Sequence, residues 1–182
     1  PFDWILEDDV RSIAIVGISK NSGKTTLLNH LLREHAELSF GVFSTGIDGE
    51  ETDTVFKTLK PRVRLNPGTL FCCDTASLDR HGSAVEVLEK LGSASPQRQL
   101  WLSRTILPVE TEITGPASVA GQTRLLGKIL AHGAARVLID GSLDRKSIAL
   151  SEAVDAVVAL IGASFGSPSA IADELKRLLL LN

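Results

Sequence analysis

Nine consecutive residues, Gly17-Ile18-Ser19-Lys20-Asn21-Ser22-Gly23-Lys24-Thr25, set two glycines, a lysine and a hydroxyl at the spacing G-x-x-x-x-G-K-[ST]. That spacing suits a polyphosphate. Gly17 and Gly23 permit backbone angles that other residues avoid, so successive N–H groups can converge on phosphate oxygens. Lys24 supplies an ammonium for the β- and γ-phosphates, and the Thr25 hydroxyl supplies a ligand for Mg²⁺. Asn21 and Ser22 line the same turn, and Thr26 is placed at the α-phosphate. The expected ligands are ATP and Mg²⁺. The competing reading is a tight glycine turn with a solvated Lys24, but a turn alone does not require Lys-Thr after the second glycine. Lys20 reads as an exposed loop charge rather than a second phosphate ligand.

A metal-bound nucleotide also needs a carboxylate to orient the metal's water shell. Val137-Leu138-Ile139-Asp140-Gly141 offers an apolar strand ending in an acid, then a glycine that allows close approach. Asp140 is therefore the metal-side candidate, with helix N-capping as its alternative role. A second acidic stretch, Thr45–Asp53, carries Asp48, Glu50, Glu51 and Asp53 between glycines. Asp48 and Asp53 are the better candidates there; Asp48 joins Lys24 and Asp140 as a catalytic expectation, and Thr25 and Asp140 as a metal ligand. Glu50 and Glu51 suit a solvated face equally well, and a plain surface loop competes for each acid. Asp144-Arg145 offers a cation for phosphates or a partner, or a surface ion pair. His30, His35, His81 and His132 lack metal-like spacing. Without an Asn-Lys-x-Asp stretch, ATP is favoured over GTP, and no LSGGQ-like signature of transporter ATPases occurs.

These residues need a frame. Ile13–Val16 reads as a strand buried on both faces. Thr25 to His35 is helical, with Leu27, Leu28, Leu31 and Leu32 on one stripe, and Ser39–Ser44 is a second strand. Arg62–Leu65 and Thr69–Cys73 flank Asn66-Pro67-Gly68, a turn signal that predicts two strands reversing on each other. Val85–Leu91 reads as a helix. Leu100–Ile106 and Val109–Thr114, either side of Pro108, read as an antiparallel pair. A helix from Ser118 ends at His132-Gly133, the expected glycine stop. Then follow a strand at Val137–Ile139, a short helix at Lys146–Ala153, a strand at Ala156–Ile161 and a helix at Ser169–Leu180. Strands alternating with helices at both ends predict an α/β fold: a mainly parallel sheet, helices on both faces, and a central antiparallel hairpin extension.

At 182 residues the chain fits one domain, and folding at this length removes about 70% of the unfolded surface from water, enough for a core without staples. The net charge of −3, with acids and bases interspersed, argues against a nucleic-acid partner, which would draw a basic stripe. Cys72 and Cys73 are adjacent; neighbours bridge poorly, so they read as small buried hydrophobes on a strand in a reducing, cytoplasmic compartment. No apolar run reaches bilayer length, so no membrane partner is expected. The start at Pro1 and the apolar finish Leu178–Leu181 suggest a piece of a longer protein.

The order of these pieces resembles the P-loop NTPases of the dethiobiotin synthetase and MinD-like branch, which includes the molybdopterin-guanine dinucleotide biosynthesis adaptor. More closely, Gly17–Thr26, Thr45–Asp53 (TGIDGEETD), Lys60-Pro61, Pro67–Leu70 (PGTL), Ile113–Pro116 (ITGP) and Ile139–Arg145 (IDGSLDR) resemble the P-loop subunit of the reactivase of cobalamin-dependent lysine and ornithine aminomutases. The resemblance implies the three-layer P-loop fold and an ATP-driven chaperone that helps a mutase shed damaged cofactor. Its protein partner would be the aminomutase or a second reactivase subunit. By carry-over, Lys24 and Thr25 bind nucleotide, Asp140 serves Mg²⁺, and the IDGSLDR turn lies near the phosphates. Proteins of this branch often act as dimers, which extends the expectation to a homodimer. No cobalamin-binding His motif occurs, so corrinoid contact would fall to the partner. Two other functions fit the same residues: a small-molecule kinase or ATP-dependent ligase of the dethiobiotin synthetase type, and a non-enzymatic partner-binding module.

Overall fold

A computed structural model describes residues 3–18, 22–45, 62–95, 98–141, 148–162 and 165–179. Its elements are β1 (Ser12–Gly17), α1 (Lys24–Glu34), β2 (Phe40–Ser44), β3 (Val63–Leu65), β4 (Leu70–Asp74), α2 (Thr75–His81), β5 (Val85–Ser95), β6 (Arg98–Thr105), β7 (Val109–Thr111), α3 (Val119–Ala131), β8 (Arg136–Gly141), β9 (Ala156–Leu160) and α4 (Pro168–Leu179). Seven strands form one sheet in the order β5-β6-β4-β2-β8-β1-β9. From β4 to β9 neighbours run parallel, while β6 and β5 extend the β4 edge antiparallel. The chain is thus α/β with a mainly parallel sheet and a hairpin extension, as the alternating pattern implies.

Two apolar layers cover the sheet. On one face Leu28, Leu31 and Leu32 of α1 pack on Ile13, Ile15, Val42, Phe71 and Leu138. On the other, Leu125, Leu126 and Ile129 of α3 pack on Ala14, Val16, Phe43, Cys72, Val137 and Ile139. Strand side chains alternate between faces, which is why β1 and β8 read as unbroken apolar runs. Burying each Leu, Ile, Val or Phe contributes about 1.5–3 kcal/mol. Cys72 and Cys73 are both buried and unbridged on β4. Burial pushes both thiols up, Cys73 to about 11, so they behave as the small hydrophobes expected.

Four expectations need correction. Arg62–Leu65 and Thr69–Cys73 do not reverse on each other: β3 pairs antiparallel with β7 in a separate two-stranded sheet, whereas β4 sits between β2 and β6. The reason lies on α1, where Asn29 donates to the Arg62 carbonyl at 3.1 Å and accepts from the Arg64 N–H at 2.9 Å, drawing β3 onto the helix. For the same reason β6 and β7 are not partners across Pro108. Val85–Leu91 is strand, not helix. Register shifts between Val87 and Glu89 and between Lys90 and Ser93 insert extra residues opposite β6, so Leu88 and Leu91, three apart, both pack toward the α3 face. Bulges thus imitate helical spacing. Of the helix expected at Lys146–Ala153, the described residues contain one 3-10 turn, Ile148–Leu150.

The amino edge of the sheet is closed by satisfied polar groups. The Arg136 guanidinium donates to the carbonyls of Ile5, Ala135 and Glu7 at 2.6, 2.9 and 3.0 Å, fastening the N-terminal 3-10 turn (Asp3–Leu6) to β8. Asp155, just before β9, accepts from the Arg11 and Ser12 N–H groups and the Ser12 hydroxyl at 2.7–2.9 Å. Burial alone would raise its carboxyl; the Ser12 and Arg11 donors and the Arg11 charge outweigh that and hold it below the usual carboxylate range. Its contribution is therefore present above the unfolded value and lost as pH falls through the lower folded one. Asp155→Ala should destabilise the protein by about 1 kcal/mol at neutral pH. Urea denaturation at a series of pH values should show the gap to the parent closing below about 3.9.

Candidate functional site

β1 leads to α1 on one face of the sheet, while the chain after β8 is next described at Ile148 and Ala149, buried among the α3-side residues of the other face. Open α/β sheets bind ligands where neighbouring parallel strands connect to opposite faces in this way. In register, Asp140 lies beside Ile15 on β1 and beside Ser44 on β2, and Gly141 beside Val16. Leu138 belongs to the α1-side core; Asp140, two residues on, shares that face. The acid and the start of α1 are thus on the same side of the sheet.

The described parts of the glycine run are the end of a strand and the start of a helix. β1 ends on Gly17, whose next N–H, that of Ile18, is taken by the Leu160 carbonyl at 3.0 Å. Gly23 stands at φ 95° and ψ 13°, a left-handed conformation that other residues adopt at a cost. α1 begins at once with Lys24, has no acid in its first turn and no side-chain hydrogen bond at its N-cap. The first N–H groups of a helix have no partner within it, and the dipole there favours an anion. A Cβ on Gly17 would lie 2.1 Å from Ser22 Oγ and 3.2 Å from Lys24 Cγ and Cδ. Ser22 and the lysine stem therefore lie close over Gly17, and a side chain there would collide with them. Among the described residues, Ser22 Oγ is buried without a hydrogen-bond partner.

Gly17, Ser22, Gly23, Lys24, Thr25 and Thr26 are thus gathered at the end of β1, with Asp140 on the adjacent strand; Thr26 is exposed, Lys24 and Thr25 half-buried. Lys20, Asn21, Asp48, Glu50, Glu51, Asp53, Lys60-Pro61, Asp144 and Arg145 lie outside the described residues.

Two features escaped the sequence reading. The segment Ile113–Pro116 fills the split where β2 and β4 part: Thr114 donates its N–H to Cys72 O and accepts from Ser44 N–H, each at 3.1 Å. A Cβ on Gly115 would lie 1.9 Å from the Ser44 carbonyl oxygen. The second feature is Gln122 on α3. It is fully buried, and its amide bonds the backbone of Thr45, Pro116 and Ile148. A glutamine in a helical stripe carries no signal of such a role; the glycine in Ile113–Pro116 was visible as part of a resemblance, without its reason. Beside Thr114 opens a small pocket of about 70 Å³, lined by Asp74, Ala76, Ser77, Arg80, Arg98, Glu112 and Thr114. Arg98 bonds Asp74 at 2.7 Å, and among the described residues Thr114 Oγ1 is buried without a partner.

Compared with protein-family models, with curated proteins and with solved structures, the chain matches none. No described helix is long and apolar enough to cross a membrane.

Gly115→Ala, pressing a methyl against a main-chain oxygen rather than a movable side chain, should cost about 1–3 kcal/mol or more. Equilibrium urea unfolding should show it as a lower midpoint at unchanged slope.

Proposed function

We propose that the chain is a Mg-ATP-binding P-loop NTPase, an ATP hydrolase acting as a switch or chaperone for a partner enzyme, similar to a cobalamin-mutase reactivase subunit. The observation that carries the nucleotide reading is that β1 ends on Gly17 and α1 starts at Lys24 after a left-handed Gly23, beside the strand that delivers Asp140. A bare turn would not need Lys24-Thr25 at the helix start, an uncapped first turn, and a neighbouring acid on the same face of the sheet.

The proposed mechanism follows from those groups. The N–H groups of the turn and of α1 bind the phosphates, with Lys24 across the β- and γ-oxygens. Thr25 and Asp140, with Asp48 as the further candidate, would hold Mg²⁺, which would supply charge neutralisation at the phosphates. Water attacks the γ-phosphorus as its bond to the bridging oxygen breaks, leaving ADP and inorganic phosphate and releasing the water's proton to solvent. A switch of this kind turns over slowly alone and faster with its partner; rapid turnover without any partner would remove the chaperone half of the proposal. The reactivase resemblance supports the choice of partner, a cobalamin-dependent aminomutase or a second reactivase subunit.

One observation favours a second reading, a small-molecule kinase or ATP-dependent ligase: the pocket beside Thr114 opens at the carboxyl end of β4 and presents two arginines. The readings separate on products. A kinase or ligase needs a metabolite that accelerates ADP formation while itself becoming phosphorylated; a switch needs a protein and releases inorganic phosphate.

Lys24→Ala should weaken Mg-ATP binding by about tenfold or more, the value of roughly 1.5–3 kcal/mol for hydrogen bonds to charged groups, while thermal stability stays near the parent's. Isothermal titration with ATP and GTP, with and without Mg²⁺, tests this. Equal affinity in parent and variant would return the glycine run to an ordinary turn.

A further inference from the structure

We propose that Gln122 is a positioning residue for Asp140. The proposal rests on the reading above, in which Asp140 serves the metal, but its contacts stand independently. Gln122 Nε2 donates to Thr45 O at 2.8 Å and to Pro116 O at 3.0 Å, and Oε1 accepts from the Ile148 N–H at 2.8 Å. Thr45 in turn donates its N–H to the Asp140 carbonyl at 3.0 Å. Asp140 is thereby braced through Thr45 at the end of β2, and the same amide holds Ile148, where the chain after β8 is next described. Pro116 adds the segment wedged between β2 and β4. Three stretches of chain far apart in sequence are held by one side chain at the edge where the acid emerges.

The chemistry demands an amide. Two carbonyl oxygens need donors and one N–H needs an acceptor, and a primary amide of glutamine length offers both. Methionine fills the space and bonds none of the three. Glutamate mimics the amide in part when protonated, with one O–H donor and a carbonyl acceptor; ionised, it has acceptors alone and sets a negative charge against two carbonyl oxygens. Burial and those oxygens both disfavour the charged form, so its pKa lies above the ordinary value of about 4.3. Function that the protonated acid supports is lost as pH rises through that raised value.

The test compares the parent, Gln122→Glu and Gln122→Met between pH 5 and 8. One readout is amide exchange at Thr45 and Ile148, corrected for its intrinsic pH dependence. The other is the Mg²⁺ concentration giving half-maximal ATP turnover, read beside the KM for ATP. Gln122→Glu should match the parent at low pH, then exchange faster at both amides and need about tenfold more Mg²⁺ as pH rises, the usual size of effect for a residue that orients a metal ligand. Its KM for ATP should change little. Gln122→Met should show the loss at every pH; if it does not fold, the pH response of Gln122→Glu decides. Parent-like exchange and Mg²⁺ requirement in Gln122→Glu at every pH would overturn the proposal, as would loss with no pH dependence. If the parent itself turns over no ATP, the nucleotide reading falls, and amide exchange at Thr45 and Ile148 alone decides whether Gln122 braces Asp140.

Discussion

The carboxyl edge of this sheet depends on one strand being inserted between two others. β8, some ninety residues and more downstream, enters between β1 and β2, and the parallel register that results sets Asp140 beside Ile15 on one side and Ser44 on the other. Loop-closure entropy opposes so distant a pairing, but it grows only as the logarithm of the separation. Val137, Leu138 and Ile139, all fully buried, outweigh it. A slip of one residue would turn Leu138 to the α3 face and Asp140 with it. The register that fills the two cores therefore also aims the acid toward α1.

Close approach then determines where glycine is required. Gly41 on β2 has no room for a side chain because Ile129 of α3 would lie 2.0 Å from its Cβ, so α3 rides directly on the strand. From that seat Gln122 reaches the three main-chain segments it bonds. Gly115 plays the equivalent part for the wedge between β2 and β4, pressed onto the Ser44 carbonyl. The polar groups at this edge are held by backbone contacts that small residues permit.

Legibility in the sequence followed locality. β1, α1, β2, α3, β8, β9 and α4 could be read because each is a local apolar pattern with a local stop: Gly17 after β1, Ser118 capping α3 through the Gly121 N–H, and Gly133 at φ 95° ending it. The strand end and helix start that flank the glycine run were legible because both are local to its nine consecutive residues. Pairing was not. Nothing near Val63 shows that β3 will join β7 under Asn29, and the bulges of β5 gave Leu88 and Leu91 a false helical period. Gln122 was invisible for the deeper reason that its partners are carbonyls and an N–H, groups every residue carries. That Asp140 ends an apolar strand was legible; its neighbour on β1 was not, because that is a matter of register.

The two edges of the sheet differ in how their polar groups are satisfied, and that difference is the physical case for a ligand. At the amino edge Arg136 is matched to three carbonyls and Asp155 to three donors. At the carboxyl edge, among the described residues, α1 starts with no side-chain cap and no acid, Gly23 is held in a left-handed conformation, and the Ser22 and Thr114 hydroxyls are buried without partners. Each buried, unmatched hydroxyl costs about 1–3 kcal/mol, and folding of the free chain gains nothing evident in return. Water could satisfy one hydroxyl, but water has no charge to set against the helix dipole and the Lys24 ammonium together. On the proposed reading, a polyanion at the start of α1 would meet its first N–H groups, the dipole and the ammonium at once, and Asp140 would hold its cation.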